Sequence, residues 1–253
     1  ADSATPQAIA DAAVRLGCRS VAFTYNDPVV FLEYAVDTAL ACRAQGVRTV
    51  GVTAGYIEPG PREELFGVMD AVNIDLKGFT HEYYRKVCGG DLDAVLETIE
   101  WAVTSGDLWV ELTTLIVPGH NDSDDELRRM CGWVVDHVGP DVPMHFSAFH
   151  PDWKMLDVPP TPPATLRRAR QIAQECGVRF AYTGNVHDAA GDTTFCPACH
   201  KPVIERDWYD LLSYELDANG ACSYCGTSLP GVFEAIPGTW GRRRLPVQMD
   251  GQR

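Results

Sequence analysis

Strand-like and helix-like stretches alternate about six times along this chain, and that alternation limits its fold more than any other feature. The strand segments are 20–25, 49–53, 71–78, 109–117, 143–149 and 179–183. A helical pattern covers 6–16, opened by Thr5 as an N-cap and closed by Gly17, and others cover 29–45, 61–68, 91–105, 123–137 and 164–176. Ser123 caps the fifth of these, with Asp124, Asp125 and Glu126 in the first turn where they complement the macrodipole. Alternation of this kind predicts an α/β fold with a parallel sheet covered on both faces. A partial (β/α) TIM-type barrel is the expectation, ahead of a flat doubly wound sheet. In such a barrel the loops that follow the strands gather at one mouth. Polar residues recur there: Asn26 and Asp27, Thr53, Asp75 and Lys77, His120 to Asp122, His150 and Asn185.

The stretch 71–78, Ala-Val-Asn-Ile-Asp-Leu-Lys-Gly, is the most informative of the strands. Alternation puts Asn73, Asp75 and Lys77 on one face and Ile74 and Leu76 on the other. An acid and a base at the end of a covered strand cost desolvation energy unless something compensates them. A zwitterionic, hydroxylated small molecule would do so, with Lys77 on a carboxylate and Asp75 on hydroxyls. An internal Asp–Lys ion pair would do so equally well, and spacing alone leaves both readings open.

The chain has 253 residues, enough for one large α/β domain or a domain with a small appendage. Its formal charge of -14 argues against a nucleic-acid or anionic-membrane partner. No apolar run approaches the roughly 20 residues of a membrane span and no signal-peptide pattern opens the chain, so a cytoplasmic location is expected. Arg242 to Arg244 read as a solvated run, and Trp101, Trp109 and Trp133 as packing residues. Glu111 and Thr113 share a strand face that could point into the barrel.

Four of the nine cysteines form two Cys-x-x-Cys pairs, Cys196/Cys199 and Cys222/Cys225. Two intervening residues let both thiolates of a knuckle reach one ion, and four soft ligands in tetrahedral array point to Zn, with Fe the alternative. The expected division is a partial barrel over 1–189, a zinc ribbon over 190–240 and a tail over 241–253. The remaining cysteines, Cys18, Cys42, Cys88, Cys131 and Cys176, are expected to be buried structural thiols.

Six stretches taken together resemble one family: 22–28 (AFTYNDP), 52–56 (VTAGY), 73–78 (NIDLKG), 115–122 (LIVPGHND), 145–151 (HFSAFHP) and 182–185 (YTGN). They are similar to the AmmeMemoRadiSam-system radical SAM enzymes, relatives of the pyruvate formate-lyase activating enzymes. The resemblance implies a radical SAM partial barrel that binds S-adenosylmethionine beside a [4Fe-4S] cluster and releases a 5′-deoxyadenosyl radical for hydrogen abstraction. It places Tyr25, Asn26 and Asp27 near the methionyl amine, with Thr53 at the neighbouring strand end. It gives the ribose hydroxyls to Asp75, the methionyl carboxylate to Lys77, and the nucleoside's vicinity to His150. It also implies an electron donor such as a flavodoxin or ferredoxin, and a substrate that includes proteins among its candidates.

Two local departures shorten a carboxylate and remove an amide, since family members usually carry Glu where Asp27 stands and Asn where Ala54 stands. A larger one concerns the cluster. The family's Cys-x-x-x-Cys-x-x-Cys loop does not occur in this sequence. The expectation is a chain that lacks the first βα unit, and with it the cluster ligands, and that by itself is inactive. The competing readings are a cluster-free SAM-binding or scaffold protein that docks a partner through its ribbon, and a hydrolytic barrel using Asp75, His145 or His150.

Overall fold

The computed structural model describes residues 4–238, 241 and 243–247, so Arg242 and 248–253 of the expected tail lie outside the described residues. Six strands form one sheet: β1 (Ser20–Phe23), β2 (Arg48–Thr53), β3 (Ala71–Asp75), β4 (Trp109–Ile116), β5 (Met144–Ala148) and β6 (Ala181–Gly184). They lie in sequence order, β1-β2-β3-β4-β5-β6. The registered pairs β1/β2, β2/β3, β4/β5 and β5/β6 are all parallel. The order never reverses, so the sheet has no switch point of the doubly wound kind and winds as a (β/α) barrel does.

The helices are α1 (Pro6–Arg15), α2 (Leu32–Ala44), α3 (Pro59–Phe66), α4 (His81–Tyr83), α5 (Leu92–Thr104), α6 (Asp124–His137), α7 (Pro163–Glu175) and α8 (Ala189–Asp192). Their starts follow from capping chemistry. Thr5 Oγ1 accepts from Ala8 N at 3.2 Å, Asp91 Oδ1 from Asp93 N at 2.9 Å, and Ser123 Oγ from Glu126 N at 3.3 Å. Among the described residues no helix is long and apolar enough to cross a membrane.

The chain groups into two compact units, one drawn from Ala1–Leu76, Gly89–Glu111 and Leu245–Arg253, the other from Lys77–Cys88 and Leu112–Arg244. In the first, Ala10 and Ala13 of α1 pack with Cys42 of α2 and Val47. Buried Arg62 pairs with Glu97 at 3.1 Å and lies over the Trp101 ring. In the second, an antiparallel sheet of β7 (Thr194–Phe195), β8 (Pro202–Asp207) and β9 (Asp210–Tyr214) carries the cysteine pairs. Its core is shared: Phe180, immediately before β6, packs with Val203, Ile204, Leu216, Leu229, Cys196 and Cys222.

Several boundaries differ from the sequence reading. β1 stops at Phe23 because Tyr25 enters the left-handed region at φ 70. The helix expected from 29 begins as a 3₁₀ turn, Pro28–Phe31, whose N-cap is Asp27. β3 stops at Asp75, where the Leu76 N–H turns back to Ile74 O at 3.1 Å. Of the isolated cysteines only Cys42 and Cys131 are buried, while Cys88 and Cys176 are half-buried and Cys18 is exposed. Cys18 is exposed because Gly17, at φ 66, turns the chain out of α1 just before it.

Phe180→Ala removes the one large side chain that the run into β6 contributes to the cysteine-bearing sheet. It is expected to cost about 3–5 kcal/mol in urea denaturation. Any metal held by the four cysteines should then be lost to a chelator faster than from the parent.

Candidate active site and metal centre

The four paired cysteines converge. Sγ of Cys196 lies 3.6 Å from that of Cys225, Sγ of Cys199 lies 3.8 Å from that of Cys222, and all four sulfurs fall within 4.8 Å of one another. The two knuckles repeat one backbone pattern. Cys196 N donates to Lys201 O at 2.9 Å and His200 N to Cys196 O at 3.0 Å; Cys222 N donates to Thr227 O at 2.9 Å and Gly226 N to Cys222 O at 2.8 Å. His200 (φ 58) and Gly226 (φ 76) take the same left-handed position. Hydrogen bonds from the Thr227 side chain and backbone pull the Cys225 thiol down to about 6. At Cys199 a backbone hydrogen bond from Lys201 pulls the same way, but burial and the neighbouring thiols prevail and push it up to about 11. Crowded thiols of this kind give up their protons together only to a cation.

In the first unit, Asp27 is a brace. Its Oδ1 accepts from Val29 N at 3.1 Å and Thr53 Oγ1 at 2.9 Å, and its Oδ2 from Ala54 N at 2.8 Å. Thr53 Oγ1 in turn accepts from Gly55 N at 3.1 Å. The carboxylate therefore spends three of about four lone-pair sites on the loops after β1 and β2. A Cβ at Gly55 would stand 2.7 Å from Ile74 Cγ2, so the turn needs glycine. Asn26 is exposed, and the Tyr25 ring stands almost wholly in solvent at 97% exposure. Asp75 ends β3 half-buried on the same face as Asn73, opposite buried Val72 and Ile74.

In the second unit, the backbone around Lys77 is pinned from several sides. Lys77 N donates to Tyr84 Oη at 3.1 Å, and Lys77 O accepts from Asn121 Nδ2 at 2.7 Å. Phe79 N donates to Glu126 Oε1 at 2.7 Å. Gly78 sits against Tyr83, whose Cδ1 would be 2.6 Å from a Cβ at that position. Asn121 also donates to Leu115 O at 2.9 Å and accepts from Val117 N at 2.7 Å, and is 2% exposed. Burial pushes the Glu126 carboxyl above the usual carboxylate range, more than the Phe79 N–H pulls it down.

Register aligns Thr113, His145 and Tyr182 across β4, β5 and β6, on the half-buried face of the sheet. The His145 and Tyr182 rings stack at 5.0 Å. β5 ends at Ala148, between His145 and His150, and His150 is exposed in the loop beyond it. Glu111 accepts from Trp109 Nε1 at 2.9 Å. Sequence reasoning assigned no role to Tyr83 or Tyr84. Tyr84 opens a π-helical turn, Tyr84–Cys88, and π turns concentrate at functional sites, but no composition marks them.

Asn121→Ala leaves the buried Val117 N–H and the carbonyls of Leu115 and Lys77 without this partner, and is expected to cost about 2–4 kcal/mol in urea denaturation. Glu126 makes a pH-dependent contribution. Its raised carboxyl binds a proton more tightly in the folded chain, so stability falls as pH rises from the usual carboxylate range through the raised value. Glu126→Gln keeps an acceptor for Phe79 N and should flatten that fall in denaturation series run from acid to neutral pH.

The Radical SAM superfamily profile matches residues 2–132. An uncharacterized protein of Methanocaldococcus jannaschii is 42% identical over 230 residues, 90% of this chain and 68% of that one. The GTP 3',8-cyclase of Alkaliphilus oremlandii is 29% identical over 121 residues, 47% of this chain and 38% of the cyclase. A domain of pyruvate-formate lyase-activating enzyme from Bacteroides vulgatus has a TM-score of 0.58 at 16% identity, covering 66% of this chain and 99% of that domain. Streptococcus suis SuiB bound to S-adenosylmethionine has a TM-score of 0.56 at 12% identity, covering 71% of this chain and 41% of SuiB. At such identities the two structures speak for the fold alone. With the profile spanning more than half of the sequence and the archaeal relative matched over two thirds of its own length, the chain belongs to the radical SAM superfamily.

Proposed function

We propose that this chain is the S-adenosylmethionine-binding part of a radical SAM enzyme of the activating-enzyme-like, AmmeMemoRadiSam type. The observation that supports this best is the pinned backbone of Lys77, held at its N–H by Tyr84 and at its carbonyl by Asn121. A residue fixed at both backbone polar groups presents its ammonium from a constant origin, which suits a carboxylate ligand. By the family resemblance, Asp75 would accept from ribose hydroxyls, Asp27 and Thr53 would belong to the amine end, and His150 to the nucleoside's vicinity. The same resemblance would bring Tyr25 and Asn26 to the amine end. Reductive one-electron cleavage of the sulfonium S–C5′ bond of bound S-adenosylmethionine would release methionine and a 5′-deoxyadenosyl radical able to abstract hydrogen from substrate. That cleavage would require an electron donor of the flavodoxin or ferredoxin class, and the work of these residues is to bind and orient.

The cysteines of this sequence do not fit the family's [4Fe-4S] site, because no Cys-x-x-x-Cys-x-x-Cys triplet occurs among them. The four paired cysteines suit a different ion. Four sulfurs at about 2.3 Å from one tetrahedral centre lie about 3.8 Å apart. That agrees with the 3.6 and 3.8 Å separations here. Ligands to a four-iron cluster stand farther apart, because the cluster lies between them. We assign the site to structural Zn. The missing triplet also favours a second reading, a cluster-free SAM-binding scaffold that docks its partner through the ribbon. Formation of 5′-deoxyadenosine by the reduced, iron- and sulfide-reconstituted natural gene product supports the enzyme; a natural gene product that takes up no cluster supports the scaffold.

Lys77→Ala is expected to weaken S-adenosylmethionine binding by about 10- to 100-fold in calorimetry. An unchanged affinity would remove Lys77 from the site. Cys222→Ala should lower bound zinc by about one equivalent per chain in elemental analysis.

A further inference from the structure

Between α7, the run into β6, α8 and the first cysteine knuckle lies a cleft of about 470 Å³. Its lining holds two arginines, one histidine and no carboxylate, in a chain with 35 acidic residues against 21 basic ones. Arg179 is neutralised by Asp141, so any attraction of the cleft for anions comes from Arg170, with Asp188 near enough to act against it. Arg170 carries the argument. Its Nε donates to Ala181 O at 2.8 Å, which fixes the plane of the guanidinium, and among the described residues its two Nη groups have no hydrogen-bond partner. The side chain is half-buried, and desolvation pulls its pKa down although Asp188 and Tyr182 act against this. Arg179 is already committed, its Nη1 lying 3.0 and 3.1 Å from the two Asp141 oxygens.

The rest of the wall is largely apolar, with Val178, Tyr182, Phe195 and Pro197 on its sides. The volume suits a small ligand. Phe180 and Ala181, at the start of β6, line it together with Ala190 and Thr193 from the chain after β6.

We propose that this cleft is a second binding site, for a small molecule carrying one phosphate or carboxylate group on an apolar or aromatic body, with the anionic group on the Arg170 fork. A planar guanidinium held through Nε presents its two Nη groups side by side, the arrangement that takes two oxygens of such a group. Cys196 and Pro197 belong to the wall, so occupancy ties the knuckle to the run into β6.

Calorimetry with phenyl phosphate, benzoate and inorganic phosphate tests the site. One equivalent of phenyl phosphate or benzoate should bind, whichever is tighter identifying the anionic group, and inorganic phosphate should bind more weakly than phenyl phosphate. Arg170→Gln should weaken the organic anion about tenfold or more, while Arg167→Gln, an exposed position on the same helix, should leave it unchanged. If Arg170→Gln does not fold, Arg170→Lys keeps the charge without the fork and should still lose affinity. In the parent chain, amide shifts on titration should centre on Ala190 and Thr193. No binding at millimolar ligand, equal loss in the Arg167 variant, or shifts centred elsewhere would overturn the proposal. Inorganic phosphate binding as tightly as phenyl phosphate would remove the apolar body from it.

Discussion

A single buried amide holds together the part of the second unit on which the functional reading rests. Asn121, itself 2% exposed, places one acceptor and two donors against three backbone groups, the buried Val117 N–H and the carbonyls of Leu115 and Lys77. A buried polar group without a partner costs more than a hydrogen bond contributes, so this arrangement is close to all-or-none. The end of β4 and the chain at Lys77 are correct together or not at all. Glu126 and Tyr84 hold the adjoining groups, at Phe79 N and Lys77 N. A lysine side chain is long and loses much rotamer entropy when fixed. Removing freedom from its backbone beforehand lowers the cost of using it on a ligand.

The first unit uses the same device with different atoms. Asp27 satisfies backbone and hydroxyl donors at the ends of β1 and β2, and Thr53 hands one hydrogen bond on to Gly55. A carboxylate so occupied is firmly placed, with about one acceptor site left for anything else. The polar residues that follow parallel strands therefore divide into those that brace the loops and those with atoms left to offer. Asp27 and Asn121 belong mainly to the former, and the exposed His150 to the latter.

Periodicity made the six strands, their order and the capped helices legible, because each depends on local chemistry: alternation at Val72 and Ile74, the hydroxyls of Thr5 and Ser123, and the acids after Ser123. The cysteine pairs were legible for the same reason, since a knuckle is a local structure. What escaped depends on groups distant in sequence. Asn121 reads as an ordinary turn residue until Lys77 O, 44 positions away, is placed beside it. Glu126 reads as a first-turn acid serving the helix dipole, and only the fold shows it buried against Phe79, 47 positions away. The π turn after α4 and the left-handed Tyr25 leave no mark in composition, because neither depends on a residue type that prefers it.

The cysteine-bearing sheet extends this logic to stability. β7, β8 and β9 contribute few buried side chains of their own, and Phe180 completes the set from the chain that leads into β6. A sheet this small cannot exclude enough water to hold its shape alone. Phe180 and Tyr182 pack against its core, Tyr182 also hydrogen-bonds to Thr194 of β7, and any ion held by the four sulfurs would act on the same residues, since Cys196 and Cys222 belong to both the thiol cluster and that core. Metal affinity and the packing of the run into β6 are therefore linked quantities. Whatever stabilises one raises the other, as linkage requires of any two contacts that favour the same folded state.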